Sequence, residues 1–190
     1  QLVALAAACA VVAATVSGAV GVGDALQRGL RKLALERLGG IGAALVGDRF
    51  FRAELARDAG ADPAIVLEVT FEGTAGGVAA RATLLACDAA ADLGFEPPAP
   101  AVGPGEVAIN GVLASALGVV AGDTVVLRVP KPSVIPADSP MGRREPESIG
   151  RRLRVSALLP DAGAGRFSLR PAQVTGGVAI TGLAAVQGVL

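Results

Sequence analysis

The stretch GEVAINGVLASALGVVAGDTVVLRVP, Gly105 to Pro130, carries the most legible structural signals in the chain. It gives in order a strand (EVAIN), a short helix, a stop, a reversal and a second strand (TVVLRV). Asn110 stands at the helix start, where a short side-chain oxygen can accept from the free N–H groups of the first turn. Gly118 supplies the left-handed residue at which helices commonly end, and Gly122 with Asp123 supplies the tight turn that launches the next strand. Helical spacing places Val112, Leu113, Ala116 and Leu117 on a face that packs on a sheet. Gly118, Gly122 and Asp123 are therefore read as structural turn residues, with no chemistry required of them.

Upstream, AIVLEVTFEG from Ala64 sets Ile65, Leu67, Val69 and Phe71 on one face, alternating with Glu68, Thr70 and Glu72, the pattern of a half-buried strand. GVAARATLLACDA from Gly77 reads as its antiparallel partner across Gly73, Thr74, Ala75 and Gly76. Further back, IGAALVG from Ile41 reads as a strand and DRFFRAELARDA as a helix capped by Asp48. The segment 96–105, EPPAPAVGPG, holds four prolines and reads as a linker dividing the folded part into two small subdomains. Downstream, KPSVIPADSPMGRREPESIG (131–150) mixes prolines and charge and reads as a long exposed excursion, with Lys131, Arg143 and Arg144 as partner-facing residues. RRLRVSALLP then alternates as a strand with Leu153, Val155 and Ala157 in register. GRFSLRPAQVTGGVAITG reads as two more short strands, and LAAVQGVL as the start of a helix.

The N-terminal text differs from all of this. From Gln1 to Gly23 no charge occurs, and as a helix the run would reach roughly 34 Å, enough to cross a bilayer. Its composition, eight Ala and six Val against two Leu, is weakly hydrophobic for a lone span, so it wants helical neighbours. Ala14 with Gly18, and Ser17 with Gly21, stand at the spacing that lets membrane helices approach closely. A buried helix of a soluble core is the alternative for this run. A signal peptide fits less well, because no basic region leads it. DALQRGLRKLALERL, from Asp24, continues as an amphipathic helix with Leu26, Leu30 and Leu33 on one face and Asp24/Arg28 and Lys32/Glu36 as charge pairs. Gly39 and Gly40 end it. The reading is thus an α+β protein: a transmembrane helix over 1–23, a stalk helix over 24–40 and a mixed domain over 41–190. Because the sequence opens on Gln, it is expected to be a piece of a longer protein.

Composition excludes several functions. Seventeen Lys and Arg balance seventeen Asp and Glu, so no net field attracts a polyanion, and no nucleic-acid partner is expected. His, Trp and Tyr are absent, which removes histidine acid/base chemistry, histidine metal sites and most aromatic stacking. Cys9 and Cys87 make neither a zinc site nor a plausible disulfide and read as small core residues. No catalytic, cofactor or metal residue is assigned.

Taken in order, the apolar helix, the stalk, the strand region, Gly105–Val129, the Pro-rich excursion, RRLRVSALLP and GGVAITGLAAVQGVL resemble the extracytoplasmic core domain of FtsX-like permeases. These are the MacB-like and Lol-like membrane subunits of ABC transporters. The matching features fall on Ala114, Leu117 and Gly118, on Gly122 and Asp123, on Val155 to Leu158, and on Val178 to Leu190. Gly111 and Val112 depart from the charged helix start usual in that family, and the excursion is longer than a minimal member needs. The resemblance implies a permease in a bacterial inner membrane, with residues from 24 onward extracytoplasmic and further spans beyond Leu190. It implies an ATP-binding subunit as partner, since no Walker A text is present. A second permease copy or paralogue, and a lipoprotein, lipid or peptide substrate, are implied in the same way. Arg28, Arg31, Lys32 and Arg37 argue for the opposite orientation by the positive-inside rule, so the outward placement rests on the resemblance.

Two other readings compete. LASALGVVAGDTVVLRV also resembles the double-psi barrel modules of molybdopterin enzymes and some AAA ATPases, implying a ligand-binding module. The long apolar helix and the strand pair at 64–89 count against it. A hydrolase using Ser133 or Ser139 with Lys131 as base needs no histidine, but a proline-rich loop gives no preorganised base.

Overall fold

The uncharged run and the amphipathic run form one helix, α1 (Leu2–Leu38), in the computed structural model, which describes residues 1–46, 52–73, 77–88, 90–130, 148–169 and 174–188. Its most apolar window has a mean hydropathy of 2.2 and buries nothing within the fold, so α1 is long and apolar enough to cross a membrane. No residue between Leu2 and Leu38 breaks the ladder: the interior glycines lack only a side chain, and the first proline of the chain comes after the helix. The chain divides into two compact units, Gln1–Glu36 and Arg37–Leu190.

The second unit is built on a closed barrel. Its strands are β1 (Ile65–Gly73), β2 (Ala79–Ala86), β3 (Glu106–Asn110), β4 (Thr124–Pro130), β5 (Ser148–Leu159) and β6 (Gly177–Thr181), running around the barrel in the order β1-β2-β6-β3-β5-β4. Among the described residues three short α-helices accompany them: α2 (Ala53–Asp58), α3 (Gly111–Leu117) and α4 (Leu183–Gln187). The two alternating stretches upstream pair as expected, Ile65 opposite Ala86 through Glu72 opposite Ala79. They are two staves of the barrel, so the strand pair that counted against a barrel is part of one.

Pairing around the wall follows an approximate two-fold. β1 and β2 are antiparallel, as are β4 and β5; β2 runs parallel to β6, and β3 parallel to β5. The antiparallel seams β3–β6 and β1–β4 lie between the halves. Exchanging β3 with β6, α3 with α4, β4 with β1 and β5 with β2 reproduces this wall. One half is contiguous, strand, helix and hairpin from Glu106 to Leu159; the other is split, its hairpin coming first in the chain and its strand and helix last.

Alternation along the strands gives the wall two apolar faces. Val107 and Ile109 of β3 point into a core shared with Phe71, Leu84, Leu127, Val155 and Ala179, which draws on all six strands and is stoppered by Leu113, Leu117, Leu183 and Val186 of the helices. Ala108 points the other way, into a second cluster with Leu85, Phe95, Ala99, Phe167 and Ile180. Phe95 and Phe167 meet there edge to face at 6.0 Å. Each large apolar side chain so buried contributes about 1.5–3 kcal/mol.

Several expectations are corrected. The segment 96–105 is not a divider between two subdomains: strands from both sides of it share one barrel, and its Ala99 is buried in the second cluster. Residues 41–46 form no strand. Helix α2 begins after Arg52, and Asp48 lies outside the described residues. In α3 the buried residues are Leu113, Ala114 and Leu117, whereas Val112 and Ala116 face solvent, because the helix stoppers the barrel with a narrower stripe than one lying flat on a sheet. Ser148, Ile149 and Gly150 belong to β5 rather than to the excursion; the rest of it, 131–147, lies outside the described residues. β5 carries a bulge, Val155 pairing with Val107 but Ala157 with Ala108, which carries Ala157 to the second cluster. Of the two strands expected after Gly165, β6 is the one among the described residues; a short 3-10 turn, Gly163–Arg166, precedes it.

That turn gives a stability test. A Cβ on Gly165 would collide with the Pro160 carbonyl oxygen, whereas one on Gly111 would meet nothing within 4 Å. Gly165→Ala should therefore cost about 3 kcal/mol or more through forced backbone movement. Gly111→Ala should be neutral or stabilising by up to about 1 kcal/mol. Denaturant unfolding followed by circular dichroism measures both.

Candidate functional site

The junction of β3, β6 and α3 is built around one side chain. Asn110 is 2% exposed and takes four hydrogen bonds. Its Nδ2 donates to the carbonyls of Gly165 (3.0 Å) and Gly176 (2.9 Å), and its Oδ1 accepts from the N–H groups of Leu113 (3.0 Å) and Val178 (3.1 Å). The bond from Leu113 is the helix cap read from the sequence; the other three tie the cap to the turn 163–166 and to the entry of β6. Thr181, fully buried on β6, donates from Oγ1 to the carbonyl of Glu106 at 2.7 Å. Among the described residues no buried side-chain polar atom lacks a partner.

The expected turn residues sit together where α3 hands over to β4. Gly118 has φ 66° and closes α3, and Gly122 has φ 101°. Asp123 Oδ2 accepts from the Val120 N–H (2.9 Å), Gly122 N–H donates to Val155 and Val155 N–H donates back to Asp123, so the turn is pinned to β5. The other helical stopper is held from outside itself. Gly182 cannot cap α4, and Asp88 Oδ1 accepts from Leu183 N–H at 3.0 Å in its place. Arg151 Nη1 donates to the carbonyls of Ala185 (2.8 Å) and Ala184 (3.4 Å), cation against the helix C-terminus. Sequence reading missed both clamps. The signal for the second is that Arg151 shares the inward phase of Leu153 and Val155, an odd place for a charge.

The stalk leucines belong to the other unit. Leu26, Leu30 and Leu33 of α1 are 63%, 59% and 47% exposed. Lys32 and Glu36 pair at 3.8 Å as expected, but Arg28 Nε donates to the backbone carbonyl of Asp24 rather than to its carboxylate. Lys131, Arg143, Arg144, Ser133 and Ser139 lie outside the described residues.

The titratable groups are held as structure holds them. Arg128 bonds the Glu72 carboxylate and Arg166 the Asp161 carboxylate (2.9 Å), and each hydrogen bond keeps its acid below the usual carboxylate range. Burial first, and then the charges of Asp88 and Asp62, push the Cys87 thiol up to about 11. At neutral pH it is a protonated core side chain, a poor nucleophile and metal ligand. Among the described residues no group of three His, Cys, Asp or Glu could hold a metal ion. No protein-family model matches this chain, and no curated protein matches it.

Two measurements check these assignments. Asn110→Ala leaves the carbonyls of Gly165 and Gly176 and the N–H groups of Leu113 and Val178 without their partner. It should cost about 3 kcal/mol or more, against roughly 1 kcal/mol for Thr181→Val, which deletes one bond. Cys9 is exposed on α1 and Cys87 is buried, so in a Cys9→Ser chain, where only Cys87 can react, a maleimide reagent at pH 8 should label the folded chain slowly and the denatured chain fast. Because the thiol is raised in the folded state, stability is intact below about 9 and falls as pH rises toward 11. Equal labelling of folded and denatured chains would show that Cys87 is not buried.

Proposed function

We propose that this chain is part of the membrane (permease) subunit of an ABC transporter in a bacterial inner membrane. In this reading α1 provides a span, and residues from 24 onward form an extracytoplasmic domain that couples ATP-driven movement outside the membrane to export or extraction of a substrate. The observation that carries it is the unbroken α1, uncharged through Gly23 and amphipathic beyond Asp24, leading by chain continuity into a well-packed barrel. Such a domain has a mechanical task, and the chemistry of ATP hydrolysis belongs to a separate ATP-binding subunit. A lipoprotein, lipid or peptide is the substrate class that accompanies this reading, and a second permease copy or paralogue is its partner. The barrel's last strand and α4 carry the text on which the family resemblance ends, Val178 onward.

A second reading is favoured by one observation. A closed six-stranded barrel with two parallel seams suits the double-psi-like ligand module as well as it suits a transporter domain. The two differ in what α1 does. A module of a soluble protein hides α1 against other protein, whereas a permease leaves it in lipid.

Membrane extraction separates them. The complete chain should stay in the bilayer fraction after an alkaline carbonate wash and need detergent to become monomeric, and a version lacking residues 1–23 should be released. A complete chain that is monomeric in buffer without detergent would overturn the permease reading. For the coupling step, two glycines inserted after Arg31 add roughly 2 kcal/mol of helix cost and a joint in α1 while leaving the barrel folded. Transport in vesicles reconstituted with the ATP-binding subunit should fall; transport at the original rate would mean that α1 is a passive tether.

A further inference from the structure

Asn110 is the one asparagine of the chain, and the residue after it is Gly111. Asn-Gly is the pair in which an asparagine side chain most readily destroys itself, because no Cβ shields the following amide nitrogen. The deprotonated Gly111 nitrogen attacks Asn110 Cγ, a C–N bond forms and ammonia leaves, giving a succinimide. Water then opens either carbonyl of the ring, so the net change is amide plus water to acid plus ammonia, ending as aspartate or isoaspartate. Nothing beyond water is consumed.

We infer that Asn110 is a deamidation site held in check by the barrel, and that its conversion is a one-way lock against reclosure. Three observations in the structure carry this. Asn110 is 2% exposed, which denies water to the ring-opening step and an exit to ammonia. Its carboxamide is held by all four hydrogen bonds, so Cγ cannot turn toward the Gly111 nitrogen without breaking them. Its backbone is extended, φ −80° and ψ 164°, and is followed at once by α3, which fixes Gly111. The burial and three of the four bonds exist only while β3, β6 and the turn 163–166 are together, and the cap bond to Leu113 is local to α3. Opening that junction releases the long-range restraints at one time and leaves one local bond on the carboxamide.

The product cannot rebuild what the amide held. Nδ2 is the sole donor to the carbonyls of Gly165 and Gly176 within this knot, and a carboxylate there would set negative charge against both oxygens. Isoaspartate would also lengthen the backbone at the start of α3, displacing the cap. A chain that has opened long enough to deamidate is therefore marked and kept from regaining the closed barrel.

The test uses the complete chain in detergent micelles at mildly alkaline pH, with and without guanidinium chloride, and follows the tryptic peptide 82–128 by mass spectrometry. That peptide contains Asn110 and neither glutamine nor another asparagine. The denatured chain should gain the mass of amide-to-acid conversion, and the folded chain should do so at least about tenfold more slowly. Leu113→Ala, which loosens the stopper without touching the reacting atoms, should convert faster than the unaltered chain in native buffer. Gly111→Ala should convert slowly even when denatured, since its Cβ now hinders attack. After transfer back to native buffer, the converted fraction should lack slow amide exchange over β3 and β6, while the unconverted fraction regains it. Equal rates in folded and denatured chains would overturn the protection, and a converted fraction with full exchange protection would overturn the lock.

Discussion

A primary amide can donate two hydrogen bonds and accept two, and in a protein wall it rarely finds all four partners in one place. Asn110 finds them because three chain segments far apart in sequence converge there: the helix it caps, the turn at 163–166 and the entry to β6. Each of those backbone groups lies where neither the barrel ladder nor a helix supplies a partner. The price of losing the side chain would be several orphaned groups in a region without water. The same contacts set where β6 begins relative to β3, and β6 is one of the two staves, with β4, that join the N-terminal hairpin to the rest of the wall.

That role for β6 follows from the split half of the barrel. The contiguous half, 106–159, can pair its own strands early, since helix α3 and the turn at Gly122 are local. The hairpin β1–β2 can also form alone, and α3 packs on it, but its parallel neighbour β6 and the second stopper α4 arrive about ninety to a hundred residues later, a distance at which loop closure is costly and slow. Asp88, directly after β2, reaches α4 by accepting from Leu183, and Arg151 on β5 reaches its other end. The last helix is thus held by one residue from beside each hairpin.

The elements legible in the sequence were those whose signal is local. Alternation at 65–72 named a strand and its partner, and Asn110, Gly118, Gly122 and Asp123 named a cap, a stop and a turn that are all found in place. What failed needed knowledge of the other side of the wall. Prolines at 97–104 read as a boundary because proline cannot join a ladder, yet a segment that covers the outside of a barrel needs no ladder and buries Ala99 well. Val112 and Ala114 compete for the inward face of a two-turn helix, and only the curvature of the barrel decides for Ala114. The β1–β2 pair was counted against a barrel because pairing looks complete from one seam, whereas each of those strands has a second neighbour supplied from the far end of the chain. As for the candidate site, the cap function of Asn110 was legible and its three long-range bonds were not, since nothing local marks Gly165, Gly176 or Val178 as its partners.

The two glycines after α1 show how the same residue type can mean opposite things. Gly39 and Gly40 end the helix, and from sequence alone they describe a flexible joint. Within the barrel unit Gly39 takes φ 59°, and a Cβ there would stand 2.7 Å from the Leu93 carbonyl oxygen; Gly40 donates to that same oxygen at 2.7 Å. Glycine is required at Gly39 by its positive φ and close approach, and Gly40 is tied by its backbone bond, so both positions are clamped rather than loose. A hydrogen-bonded helix is stiff along its axis, and Gly29 is the sole glycine between Asp24 and that clamp. The transporter reading proposed above asks residues 24–40 to be stiff, and within the barrel unit the backbone bond from Gly40 to Leu93 fixes the point at which that segment ends.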